Sequence, residues 1–121
     1  MVGAMRFESG LMAQFDCALS LERRESYEAI GPEGHLRVDA AYLPGTSDAT
    51  FEEHHGRAAT TVHTVPGVDE YQVMVEHFAD CVLSGTKVRY PATEAAANLR
   101  VIEALYRSAR NDGRPEPVVR A

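Results

Sequence analysis

The run Glu52-Glu53-His54-His55 concentrates the chemistry of this chain. Carboxylates and imidazoles are side chains that ligate zinc or iron. On a strand, adjacent side chains point to opposite faces. At most Glu53 can converge with His55, or Glu52 with His54. His63 follows on a neighbouring predicted strand and adds a ligand only if the pairing register brings it alongside. The plainer reading of the run is a solvated strand end, so the sequence assigns no metal site. His77 and Asp80 stand three apart on a predicted helix and are neighbours there. H-E-x-x-H is absent, and a helical surface pair is the simpler account. His35 follows a hairpin and reads as a surface residue. No G-x-S-x-G elbow occurs, and neither Cys17 nor Cys81 lies near a histidine in a protease pattern. No catalytic residue is assigned. The basic residues Arg107, Arg110 and Arg114 suit the negative end of a helix dipole and need no ligand.

Two amphipathic helices must position whatever these residues do. In residues 69–84, Tyr71, Met74, Val75, Phe78, Cys81 and Val82 recur at three- and four-residue steps and share one face. Asp69 caps the start, with Gln72 placed as in a capping box. Gly85 stands where a left-handed C-terminal cap belongs. In residues 93–111, Ala95, Leu99, Ile102, Leu105, Tyr106 and Ala109 make the stripe. Thr93 is the expected N-cap after Pro91. Gly113 ends the helix, and Pro115 and Pro117 block a restart.

Residues 2–65 read as the sheet these helices cover. Val2 to Glu8 and Leu11 to Leu19 are expected to form a hairpin around Ser9-Gly10. Leu11, Ala13, Phe15, Cys17 and Leu19 form the apolar side of the second strand. Its other side is mixed and suits a partner. Arg24 to Ile30 and His35 to Leu43 flank Gly31-Pro32-Glu33-Gly34, where proline presets a turn and glycine permits positive φ. Ala49 to His55 and Arg57 to Val65 pair around Gly56. Residues 117–120 are expected to return as a short edge strand. Strands first and helices second predict an α+β class: a mostly antiparallel sheet with two C-terminal helices packed on one face.

The 121 residues favour one domain over 1–121. A net charge of −6 leaves no basic footprint, so nucleic acid and membrane are poor partners. No run of about 18 apolar residues occurs, and the N-terminus lacks a signal pattern. The cytoplasm is the default expectation. Cys17 and Cys81 form no C-x-x-C and read as structural, buried thiols.

The stretches RFESGLMAQFDCAL, YEAIGPEGHLRVDAAYLP and EYQVMVEHFADCVLSGTKVRYPATEAAANLRVIEALYRSAR resemble, in order, the C-terminal half of the Gfo/Idh/MocA oxidoreductases. In that family a G-x-x-G hairpin joins two strands, and an aromatic-led helix precedes a last helix of the NLRVIEALYRSA kind. The resemblance implies a two-domain enzyme using NAD or NADP. Its N-terminal Rossmann domain holds the nucleotide. Its C-terminal sheet builds the pocket for sugars, polyols and related molecules, and commonly the oligomer interface. The family's glycine-rich loop, its Glu-Lys-Pro motif and its catalytic Lys, Asp and His all precede the matched region. The nine glycines here never form G-x-G-x-x-G. The expectation is therefore a domain that binds no NAD or NADP alone and contributes no cofactor-binding residue. It pairs as a homodimer through the sheet face away from the helices, or serves a separate Rossmann partner. A free-standing binding or assembly module is the alternative.

Overall fold

A computed structural model describes residues 1–119. Six strands precede two helices: β1 (Val2–Arg6), β2 (Met12–Asp16), β3 (Tyr27–Ile30), β4 (His35–Val38), β5 (Ala49–His54), β6 (Thr61–Val65), α1 (Glu70–Ser84) and α2 (Ala92–Arg110). Every strand ladder is antiparallel. The α+β class read from the sequence is the class observed. The strands make two sheets, a β1–β2 hairpin and a four-stranded sheet in the order β3-β4-β5-β6. The chain divides into two compact units. One holds Met1–Leu21 with the segment from Thr86 onward, and the other holds Glu22–Gly85.

In the first unit, β1 and β2 are shorter than the sequence pattern proposes. Phe7 N–H bonds the Leu11 carbonyl at 2.9 Å and Gly10 N–H bonds that of Phe7 at 3.0 Å. The loop is thus the three residues Glu8, Ser9 and Gly10. Gly10 adopts φ 89°, the left-handed step that lets the strands continue. Gly3, Met5, Ala13 and Phe15 form the half-buried face of the hairpin. A Cβ on Gly3 would overlap the Phe15 ring and touch Leu105, so α2 lies against this face. Cys17 lies beyond the strand and is exposed, which corrects its reading as a buried thiol. Leu11 and Leu19 are exposed as well.

The stripe expected on α2 needs a second correction. Ala104 is buried, and Val101, Leu105 and Ser108 are half-buried, so these residues turn inward. Leu99 and Tyr106 remain exposed on another side. The helix carries apolar residues on two faces, and spacing alone does not choose between them. Its start also differs. Pro91 is the N-cap, with no side-chain cap, because the helix begins one residue before Thr93. Gly113 ends it as expected, donating its N–H to the Ser108 carbonyl at 2.9 Å. No strand forms among Pro117, Val118 and Val119, and Arg120 lies outside the described residues.

In the second unit, the G-P-E-G turn works differently from its reading. Neither Gly31 nor Gly34 has positive φ. Gly34 is required because a Cβ there would overlap the backbone carbonyl of His54. Helix α1 follows its signals closely. Asp69 accepts from the N–H groups of Tyr71 and Gln72 at 3.0 and 3.1 Å, and Gly85 takes φ 67°. Gln72 bonds Glu76 instead of completing the capping box. Cys81 is buried at 6% exposure, but Tyr71, Met74, Val75, Phe78 and Val82 stay 60–66% exposed. They share the face their spacing dictates, yet it is not covered.

Candidate functional site

Register decides which of the acid–imidazole residues meet. Leu36 lies opposite Glu53, and Phe51 lies opposite His63. One face of the four-stranded sheet therefore carries Tyr27, Leu36, Val38 and Phe51, then Glu53 and His63 at its border. The apolar part lines a hollow of about 300 Å³, closed at one side by Ala41 and Pro44. The loop holding Pro44 is anchored by Asp48, which accepts the Gly67 N–H at 2.9 Å.

At the border, each oxygen of Glu53 meets a different imidazole. His55 Nε2 lies 2.7 Å from Oε1, and His63 Nε2 lies 2.6 Å from Oε2. His55 Nδ1 faces the Glu33 carbonyl at 3.2 Å. Both nitrogens of His55 thus face acceptors, an arrangement only the doubly protonated ring satisfies while Glu53 is ionised. Accordingly, the Glu53 hydrogen bond, with the Glu33 carbonyl behind it, raises the His55 pKa. Hydrogen bonds from His55 and then His63 hold the Glu53 carboxyl below its ordinary range. His63 also stacks on Phe51 with ring centroids 4.6 Å apart.

The opposite face holds the other half of the run. His54 Nε2 lies 3.0 Å from Glu52 Oε2, and its Nδ1 lies 3.0 Å from the Thr60 hydroxyl. His35 stacks on His54 at 4.2 Å, so it is a packed ring and not a plain surface residue. Strand alternation thus pairs Glu53 with His55 and Glu52 with His54, as expected. Alternation says nothing of His35, Glu33 and Thr60, which join through contacts between segments. The G-P-E-G turn puts Glu33 just before β4, and the His35–His54 pairing then brings it near the end of β5. The pairing of β4 with β5, however, spans a long loop that no local rule sets.

Among the described residues, no group of three or more His, Cys, Asp or Glu is arranged to hold a metal ion. Both Glu53 oxygens point at imidazole nitrogens that donate to them. The expected surface pair of His77 and Asp80 falls on α1. His77 also lies against Cys81, with Sγ 3.7 Å from Nε2, a contact the sequence reading passed over. Arg107 does more than complement a dipole. It donates to the Pro117 carbonyl at 3.0 Å and pairs with Glu116.

The fit to a dinucleotide can be tested on these residues. A pyrophosphate seat needs a glycine turn from strand to helix and an uncluttered helix N-terminus. Gly31 and Gly34 join strand to strand. The α1 N-terminus is already occupied by the Asp69 carboxylate with Glu70 beside it, and α2 carries Glu94 in its first turn. The described residues do not fit the group.

The described residues form an antiparallel α+β domain with an apolar face on its four-stranded sheet. Comparison gives the class a family. The family model described as "Oxidoreductase family, C-terminal alpha/beta domain" matches residues 1–118. This chain belongs to the Gfo/Idh/MocA oxidoreductase family through that C-terminal domain. It is similar to D-xylose 1-dehydrogenase (NADP(+)) 2 of Haloferax volcanii, 25% identical over 109 residues. That alignment covers 90% of this chain and 34% of the relative, so the chain spans about a third of the curated relative's length. No helix among the described residues is long and apolar enough to cross a membrane.

Proposed function

We propose that this chain is the pocket-building and oligomerising domain of an NAD(P)-dependent dehydrogenase acting on sugars or polyols. The hydride chemistry belongs to a Rossmann portion or partner outside these residues. The family match over residues 1–118 carries the reading, and the sugar dehydrogenase relative supports the substrate class. The apolar hollow, with Glu53 and His63 farther along the same sheet face, supplies an apolar wall near polar groups, the composition small-molecule sites favour. On this reading the chain alone is not competent, since Gly31 and Gly34 join strand to strand and the Asp69 carboxylate already occupies the α1 N-terminus. Titration of the purified chain with NADH, followed by nicotinamide fluorescence, is expected to show no saturation in the micromolar range. Saturable micromolar binding overturns the reading.

The same hollow favours a second reading, a free-standing small-molecule-binding module. The DNA upstream separates the two. A reading frame encoding G-x-G-x-x-G and Glu-Lys-Pro supports the dehydrogenase, whereas no such frame and a stable ligand-binding dimer support the module.

A further inference from the structure

A hydrogen-bonded chain of side chains runs across one end of the four-stranded sheet. It starts at the Glu33 carbonyl, which faces His55 Nδ1 at 3.2 Å. His55 Nε2 meets Glu53 Oε1 at 2.7 Å, and Glu53 Oε2 meets His63 Nε2 at 2.6 Å. Each imidazole nitrogen before the last has a partner. His63 Nδ1 has none among the described residues.

The ring that carries this open nitrogen is held on two sides. Ionised Glu53 accepts from Nε2–H, so the neutral ring keeps its proton there and leaves a lone pair on Nδ1. Stacking on Phe51, with the planes 12° apart, sets the plane of the ring. At 39% side-chain exposure, His63 stays within reach of a ligand. The other imidazoles of this sheet end lack the combination. Both nitrogens of His54 are engaged, by Glu52 and Thr60. His35 stacks on His54, with no carboxylate to choose its tautomer among the described residues.

What stands beside His63 sets the chemistry of a ligand. Phe51, on which it stacks, and Val65, next on the same face of β6, both line the hollow of about 300 Å³. Leu36, Val38 and Pro44 continue that wall. An occupant therefore needs a compact apolar body and a hydrogen-bond donor at the His63 side. A carboxylate would set its lone pairs against that of Nδ1. An ammonium would pay the desolvation of a full charge against apolar walls. A hydroxyl meets neither cost. We infer that His63 Nδ1 is the hydrogen-bond acceptor for a hydroxyl of a small alcohol or polyol seated in this hollow. The assignment rests on the reading of the hollow as a small-molecule wall, and adds the residue that orients the ligand. Glu53 and His55 are positioning residues, which hold the His63 tautomer without touching the ligand.

The test titrates the full chain with cyclohexanol and, separately, with its methyl ether, which keeps the apolar body and lacks the donor. Buffer above the ordinary imidazole range keeps the ring neutral. Methyl resonances of Leu36, Val38 and Val65 report seating in the hollow, and the ring-nitrogen resonances of His63 report the hydrogen bond. The alcohol is expected to bind about tenfold tighter than the ether, the worth of one hydrogen bond, and to move the Nδ1 resonance upfield. His63→Gln keeps a donor for Glu53 but puts no acceptor at the place of Nδ1, so it should lower the alcohol to the affinity of the ether. His63→Asn, whose amide oxygen falls near that place, should keep the preference for the alcohol. A purely structural role for His63 would make the two variants fail alike, and that result overturns the inference. Equal affinity for alcohol and ether, or an unmoved Nδ1 resonance at saturation, overturns it too and leaves the hollow as a binding wall. Methyl resonances unmoved by either compound overturn it together with the reading of the hollow.

Discussion

Glu53 shows how little a residue's type says until its partners are known. The sequence offers it as a metal ligand or a solvated acid. In the folded sheet it is a carboxylate bridged between two imidazoles, His55 and His63. Two shifted groups then define a pH window. The raised His55 pKa contributes stability that is complete below the ordinary imidazole value of 6.5 and is lost as pH rises through the folded value. The lowered Glu53 pKa contributes stability above the ordinary carboxyl value of 4.5 and loses it as pH falls through the folded value. Both contributions coexist in weakly acidic solution. The thermal midpoint, followed by circular dichroism, is expected to peak there and decline above neutrality. Glu53→Gln removes both contributions and should flatten the profile across that window. A variant that keeps the wild-type decline would assign it to other groups. Glu53–His55 was legible from alternation alone. His63 was not, because its place depends on the β5–β6 register.

At the scale of elements, local signals did best where one side chain acts on its own backbone. Asp69 and Gly85 bound α1 as their chemistry requires. Gly10 closes the first hairpin. Gly34 was recognised as a turn residue but for the wrong reason. Its need is proximity to the His54 carbonyl, and this appears only when β4 and β5 are paired. Gly34→Ala must push two backbones apart, so a loss of about 2 kcal/mol is expected, in the range of overpacked sites. Chemical denaturation checks it, and a loss below about 0.5 kcal/mol would show that the strands give way easily. The helical stripes tell the complementary story. Periodicity placed the apolar residues of each helix on shared faces, but it did not predict which face of α2 turns toward β1 and β2.

For the whole molecule, surface is the dominant quantity. Cys81 and Ala104 are the buried hydrophobic residues among those described. The chain exposes 10,635 Å². Large apolar side chains are among the exposed residues, including Phe78, Tyr71 and Val82 of α1. Such surface favours association. We propose a homodimer through the face of the sheet, as the resemblance implies, with an interface above about 1,000 Å² in total. Light scattering at high micromolar concentration is expected to report twice the chain mass of 13.3 kDa. A monomer under those conditions contradicts the proposal.

The amino-acid sequence by itself determined the order of strands and helices, the caps of α1, the hairpin turns and the family. Each of these depends on residues within a few positions of one another, or on a pattern long enough to be matched whole. Tertiary structure alone decided that His63 joins Glu53, that His35 stacks on His54, and that α2 turns Ala104 inward. Those outcomes depend on strand register and on which surfaces find a neighbour, and both are set by contacts between segments far apart in the chain.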